Sequence, residues 1–147
     1  MMQYLLNVTK DDDGSLLVTC PAFPEVTTFA ENEADVARRA TAAIEEAIAA
    51  RIRDGDDLPF GCTDEELRRA RGKYSVKLST MTTMKALLYR ELRESGVTRA
   101  ALARQLHWHR EQVDRLFRLD HASRVDQIEA AFGALHRSID VRVREIV

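Results

Sequence analysis

Three clusters in this sequence have residue types that could do chemistry. Asp11, Asp12 and Asp13 could in principle hold a divalent metal for phosphodiester hydrolysis. Nuclease centres, however, draw carboxylates from separate elements so that they converge on paired ions. Three consecutive aspartates beside a glycine diverge, and the run reads as a solvated turn. His107-Trp108-His109 sets two imidazoles in one turn. The other two histidines, His121 and His136, fall on different predicted elements, so no four-ligand metal set assembles. Trp108 is better placed to seal that turn against a core. Cys20 and Cys62 form no C-x-x-C pattern and read as reduced structural thiols. No nucleophile motif, phosphate loop or acid–base pair accompanies them. The expectation is a binding protein with no catalytic residues, no metal and no cofactor. A vestigial nuclease built on Asp11–Asp13 is the weakest alternative.

Charge is distributed unevenly. Residues 1–72 carry 8 Lys and Arg against 15 Asp and Glu, a net of −7, and residues 73–147 carry 14 against 9, a net of +5. A sign difference between halves suggests two partners, one basic and one anionic. The 147 residues fit one domain or two small ones, and 45% hydrophobic content suffices for a packed core. No apolar run approaches the ~18–20 residues of a membrane helix. The N-terminal residues lack the basic and apolar regions of a signal peptide. The protein is therefore expected in the cytoplasm, with no membrane partner.

The elements that must position these residues begin with a strand over Gln3–Thr9, with Tyr4, Leu6 and Val8 on one face. Asp13-Gly14 supplies a hairpin turn, and Leu16–Cys20 is the return strand. Pro21 and Pro24 are expected to interrupt the ladder before a short third strand, Val26–Phe29. Glu31–Arg53 is a helix with Val36, Ala40, Ala43, Ile44, Ala47 and Ile48 on its apolar stripe. Arg38, Arg39, Glu45, Glu46 and Arg51 fall on the opposite face, and Gly55 is a plausible cap.

These residues carry a family resemblance. Asp12-Asp13-Gly14, Pro21-Ala22-Phe23-Pro24-Glu25-Val26-Thr27-Thr28-Phe29, Glu33-Ala34, the alanine-rich helix and Asp54-Gly55-Asp56-Asp57-Leu58-Pro59 follow one another as in HicB antitoxins. The front half thus resembles that family over residues 3–59, with Ala22 where Asp is usual and Ala30 where Gly is usual. The resemblance implies a truncated ribonuclease H-like domain. It also implies a small basic partner resembling HicA, an mRNA-cleaving toxin. Asp11, Asp12, Asp13, Phe23 and Glu25 are the candidate toxin contacts.

Thr63-Asp64-Glu65-Glu66 is a capping box, so Leu67–Arg71 is expected to form a helical turn or two, stopped by Gly72. Tyr74–Leu78 reads as a strand that could return to the front sheet. The domains are expected to be 1–79 and 80–147, making an α+β chain: a small antiparallel sheet with one packed helix, then an all-α domain. In the second domain Met84, Leu87, Leu88 and Leu92 mark a helix ending near Gly96. Thr98 caps a second helix, Arg99–Leu106, and Arg110–Arg118 is a third. Ser123-Arg124-Val125-Asp126 reads as a capping box before a fourth helix, and Ile139–Val143 alternates like a terminal strand.

The run Thr98–Leu116 resembles a helix-turn-helix of the phage-repressor (Xre/Cro) type. Ala103 stands at the close helix crossing, and His107 stands where Gly is usual, so His107 must accept a left-handed backbone. In such a motif Arg110, Glu111, Gln112 and Arg115 would face base edges, where Arg reads guanine and Gln reads adenine. Arg99, Arg104, Arg118 and Arg124 would contact phosphates. Without the motif these residues would read as an ordinary solvated face. The two resemblances together imply an antitoxin that occludes its toxin and represses its own operator as a homodimer or tetramer. Strand Ile139–Val143 could pair with its twin in such an assembly. The alternative is a stand-alone helix-turn-helix regulator whose front domain senses or oligomerises.

Overall fold

A computed structural model describes residues 2–71 and 73–146. Gly72, expected to stop a helix, lies outside the described residues. The chain divides into two compact units, Met1–Ala86 and Leu87–Val147.

In the first unit β1 (Gln3–Leu5) leads into β2 (Asn7–Lys10), β3 (Leu16–Cys20) and β4 (Phe23–Ala30). β2, β3 and β4 form an antiparallel sheet in that order. The expected single strand Gln3–Thr9 is therefore divided at Leu6, where the chain changes partners: Leu6 is buried and donates its N–H to the Tyr74 carbonyl (2.9 Å). The predicted face survives the division, with Tyr4 and Leu6 buried and Val8 half-buried. β4 starts earlier than expected and includes Pro24. The Cys20↔Phe23 pair follows a register shift between Thr19 and Cys20. A proline without an N–H is tolerated at such an irregularity.

Helix α1 (Glu33–Asp54) begins two residues later than expected. Asn32 adopts an extended conformation, and its side chain accepts from the Asp35 N–H, taking up one of the orphan donors. Gly55 ends the helix in the left-handed conformation (φ 76°). Val36, Ala40, Ile44, Ala47, Ile48 and Ile52 form the buried stripe against β3 and β4. Side chains such as Ile44 and Ile48 each contribute about 1.5–3 kcal/mol by leaving water. Glu45 and Arg51 are half-buried instead of lying on a fully solvated face. Helix α2 (Asp64–Arg69) carries the expected capping box: Thr63 Oγ1 accepts from the Glu66 N–H, and the Glu66 carboxylate accepts from the Thr63 N–H. Strand β5 (Ser75–Lys77) then returns to pair antiparallel with β1. Between α1 and α2 the chain crosses β1 so closely that a Cβ on Gly61 would sit 3.0 Å from the Gln3 nitrogen. There the Cys62 N–H bonds the Gln3 carbonyl (2.7 Å), and Tyr4 Oη donates to the Pro59 carbonyl (2.9 Å).

Helix α3 (Thr80–Ser95) contains the division between the units. Leu87, expected on its apolar stripe, is exposed, whereas Leu88, Tyr89 and Leu92 are buried. In the second unit α4 (Arg99–Leu106), α5 (Arg110–Leu116) and α6 (Val125–Ala134) follow, with α4 against both others. Leu102, Ala103, Val113, Leu116, Phe117, Ile128, Ala131 and Phe132 make the core. The cap of α6 differs from expectation. Arg124 is the N-cap, and Ser123 is buried with its hydroxyl between the Arg115 carbonyl (3.4 Å) and His121 Nδ1 (3.2 Å). The expected terminal strand Ile139–Val143 is absent. Its alternation is present, but a strand needs a partner edge and residues 137–146 pair with none among the described residues.

Candidate functional site

Arg99, Arg104, Arg110 and Arg115 lie on α4 and α5, whereas Arg118 follows α5 and Arg124 caps α6. Thr98 Oγ1 accepts from the Ala101 N–H (3.1 Å) and starts α4. His107 ends it in the left-handed region (φ 55°, ψ 38°), as the sequence demands, and the Trp108 N–H closes the turn on the Ala103 carbonyl (2.9 Å). Trp108 is half-buried. His109 is extended, so α5 begins at Arg110 after a minimal connection. Val113 and Leu116 are buried and fix the helix, leaving Arg110, Glu111 and Arg115 exposed on it.

Gln112 is placed differently from its neighbours. It is half-buried, and its Oε1 accepts from the His109 N–H (2.8 Å), closing the first turn of α5. Its amide oxygen is engaged within the protein.

Asp114 organises the arginines around it, a role the sequence reading missed. Its Oδ1 accepts from Arg110 Nε (3.0 Å) and Arg99 Nη1 (3.3 Å), joining the start of α4 to α5. The Arg99 guanidinium also lies 4.6 Å from the centroid of the Phe117 ring. Arg99 is therefore a positioned, partly covered cation. The i,i+4 spacing of Arg110 and Asp114 was the available signal. Arg118 makes paired bonds to Asp120 (3.1 and 3.0 Å), and Arg124 makes paired bonds to Asp126 (3.1 and 2.8 Å). The Arg118 guanidinium holds the Asp120 carboxyl below its ordinary range. Both pairs are solvent-exposed, so an anionic ligand competes with each carboxylate at modest cost. Arg104 is exposed.

The acidic candidates lie on the front unit. The Asp11 N–H bonds the Ser15 carbonyl (2.8 Å) and the Gly14 N–H bonds the Asp11 carbonyl (3.0 Å), closing the β2–β3 turn. Asp13 Oδ1 accepts from both the N–H (2.9 Å) and the hydroxyl (2.6 Å) of Ser15. Those bonds from Ser15 hold the Asp13 carboxyl below its ordinary value. Asp11 and Asp13 thus build the turn, and Asp12 stands exposed at its tip. Among the described residues, no three His, Cys, Asp or Glu side chains converge as a metal site would need.

Phe23, proposed from sequence as a contact residue, is fully buried. Its ring meets Tyr4 edge-on at 5.0 Å, and the Arg51 guanidinium lies 5.1 Å from its centroid. Its place is the core, because β4 turns this position inward. Glu25 is partly exposed and takes both nitrogens of a fork from Arg51 (2.6 and 2.9 Å). That guanidinium holds the Glu25 carboxyl below its ordinary range, and a further Arg51 N–H reaches the Asp57 carbonyl (3.0 Å). The aromatic side chains that do face outward are Phe29 and Phe60. Phe29 pairs across the sheet with Leu17, on the side opposite Val26 and Ala30. Strand alternation from buried Val26 was the signal for it. Cys20 and Cys62 are free thiols, and burial pushes the Cys20 thiol up, away from reactivity. Among the described residues, no helix is long and apolar enough to cross a membrane.

The chain is similar to known proteins along most of its length. Residues 3–87 match a family described as the HicB_like antitoxin of bacterial toxin-antitoxin system. That span takes in β1 through β5 and the first half of α3. Antitoxin HicB of Pseudomonas fluorescens is 32% identical over 95% of this chain and 92% of its own length. Antitoxin HicB of Escherichia coli is 26% identical over 95% of this chain and 98% of its own length. Among solved structures, the crystal structure of the Burkholderia pseudomallei antitoxin HicB is 25% identical, covers 71% of this chain and 95% of that one, and has a TM-score of 0.45.

Proposed function

Because the chain belongs to the HicB-like family of antitoxins of bacterial toxin–antitoxin systems, we propose that its front unit binds and occludes a HicA-like, mRNA-cleaving toxin in the cytoplasm. The front follows a truncated ribonuclease H-like plan and performs no chemistry in this reading. The net charge of −7 over residues 1–72 favours a basic partner and speeds encounter at low salt. Asp11, Asp12, Asp13 and Glu25 are the acids proposed to meet it. Phe23 is withdrawn from that set because it is buried.

The second unit acts as a helix-turn-helix that binds operator DNA and represses the toxin–antitoxin operon. The observation that carries this reading is the turn at His107. Its left-handed backbone joins α4 and α5 and leaves Arg110, Glu111 and Arg115 exposed on the second helix. A recognition helix presents such residues to the major groove. Arg99, Arg104, Arg118 and Arg124 supply phosphate contacts, Arg99 in the orientation fixed by Asp114. A single motif reads one half-site, so the active form is a homodimer or tetramer.

The test has two arms. Co-expression with the adjacent short basic reading frame should restore growth and co-purify both chains. Absence of such a frame, or failure of both readouts, favours the stand-alone regulator. In the second arm Arg110→Ala should weaken operator binding while leaving toxin binding intact. Gln112→Ala should also weaken it, through both a lost contact and a looser first turn of α5. Unchanged operator affinity in both variants removes α5 as the recognition helix.

A further inference from the structure

Asp114 lies on the same side of α5 as Arg110, one helical turn further along. Its Oδ1 is held from two directions. Arg110 Nε donates to it within the helix (3.0 Å), and Arg99 Nη1 donates to it from the start of α4 (3.3 Å). The Arg99 guanidinium is itself seated 4.6 Å from the centre of the Phe117 ring, which gives the carboxylate a defined position. A guanidinium is a rigid plane with five N–H donors. Binding through Nε occupies one side of the Arg110 group and leaves the edge between its two terminal nitrogens intact. Those terminal nitrogens have no bond among the described residues, and the side chain is 55% exposed. Arg118 and Arg124 are bound differently, because each gives both Nε and Nη2 to its aspartate.

We propose that Asp114 is a positioning residue for base recognition: by holding Nε of Arg110 it presents the two terminal nitrogens as a fork for the O6 and N7 of one guanine in a half-site. On the operator-binding reading of α5, on which this rests, guanine is the base that Arg110 selects. The same bond acts against other DNA. A guanine is taken through the terminal edge with the Asp114 bond intact. A phosphate contact instead draws the guanidinium toward the DNA backbone and sets a phosphate charge close to the Asp114 carboxylate, where like charges repel. Asp114 therefore supports the guanine contact and opposes the phosphate one. Its carboxylate also cancels one positive charge beside Arg99 and Arg110, which lowers affinity for DNA of any sequence. Discrimination is gained at both ends, since the operator keeps its base contact and random DNA loses part of its attraction.

The test uses the full-length chain and fluorescence anisotropy with two labelled probes: the duplex immediately upstream of its own reading frame, and a random-sequence duplex of equal length. Each base pair of the upstream duplex is replaced in turn. For the parent, replacing one G·C pair per half-site by A·T should cost about tenfold or more in affinity, and Arg110→Ala should flatten the profile at that pair. Asp114→Ala should cut the preference there to about threefold or less. It should also raise affinity for the random duplex about three- to tenfold at 0.1 M salt and steepen the logarithmic salt dependence by about one. Asp114→Asn keeps an acceptor for Nε without the charge. It should retain more of the guanine preference than alanine does while steepening the salt dependence as far, and it decides the matter should the alanine variant fail to fold. A residue that only supports the fold would, when replaced, weaken binding to both probes together, and that outcome overturns the proposal. Specific binding by the parent with a base profile and salt dependence unchanged in the variants overturns the proposal alone. A parent that binds the upstream duplex no better than the random one overturns the operator reading and the role of Asp114 with it.

Discussion

Replacing His107 with glycine should stabilise the second unit. His107 sits at φ 55° and ψ 38°, a conformation in which a β-carbon crowds its own backbone. That crowding costs roughly 1–2 kcal/mol for a residue other than glycine. Glycine removes it but loses about 0.5–1 kcal/mol more backbone entropy on folding. The imidazole is exposed, so little packing is lost with it. The net expectation is a gain of about 0.5–1 kcal/mol. For a folding unit of this size, that raises the melting temperature by about 3–6 °C. Trp108, the one tryptophan, is half-buried beside the substitution and makes its own fluorescence the natural probe of this unit. His107→Val is the opposite control. A β-branched residue fits the left-handed region worse than histidine does, and the melt should move down. A glycine variant melting at or below the parent temperature would refute the strain argument. Under the proposed operator binding, affinity should stay within about threefold of the parent, because the turn keeps its shape; a larger change would mean that His107 itself touches DNA.

Arg51→Met should destabilise the first unit by about 2 kcal/mol in urea unfolding, since it removes the fork to Glu25, the bond to the Asp57 carbonyl and the cation over Phe23. Arg51→Lys should recover only part, because an ammonium cannot make the paired bonds. The depressed carboxyl of Glu25 contributes stability that is fully present above its ordinary value of 4.5 and is lost as pH falls through the depressed one. Acid titration of the unfolding midpoint should therefore be flatter below about pH 4.5 in Glu25→Gln. Thr98→Ala should cost about 1 kcal/mol in the second unit by leaving the Ala101 N–H without its cap, with no effect on toxin capture.

What could be read from the sequence was whatever short-range chemistry decides. The Thr63 and Thr98 caps, the Gly55 stop and the left-handed demand at His107 all depend on residues within one helical turn, and they stand where expected. The fronts of error lie where a distant partner overrules the local signal. Gln3–Thr9 alternates without a break, yet Leu6 divides it because Tyr74 takes its N–H. Ser123 followed by Asp126 has capping-box spacing, yet the Arg115 carbonyl holds the Ser123 hydroxyl elsewhere. Arg51 looks solvated on a helical wheel, but β4 brings Glu25 and Phe23 beneath it from 26 and 28 residues away. For the candidate site, residue types located the basic helix pair, whereas composition could not show that Gln112 accepts from the His109 N–H or that Asp114 holds two arginines. Ile139–Val143 is the converse case: the local pattern of a strand is legible, and only a second strand can realise it.

The pairing of β1 with β5 bears on how the protein is made. Gln3 leaves the ribosome well before Ser75, to which its side chain donates a hydrogen bond across 72 positions. Until that stretch is synthesised, β1 has an open edge, with Tyr4 bound for a core that is not yet closed. Closing so long a loop delays the final step of folding. The nascent front thus reaches its finished form only as α3 begins to emerge. A ribosome stalled before β5 releases a chain that holds the acidic hairpin and α1 but lacks its closing strand. Closure of the first unit is thus tied to the synthesis of β5, while the second unit is still to be made.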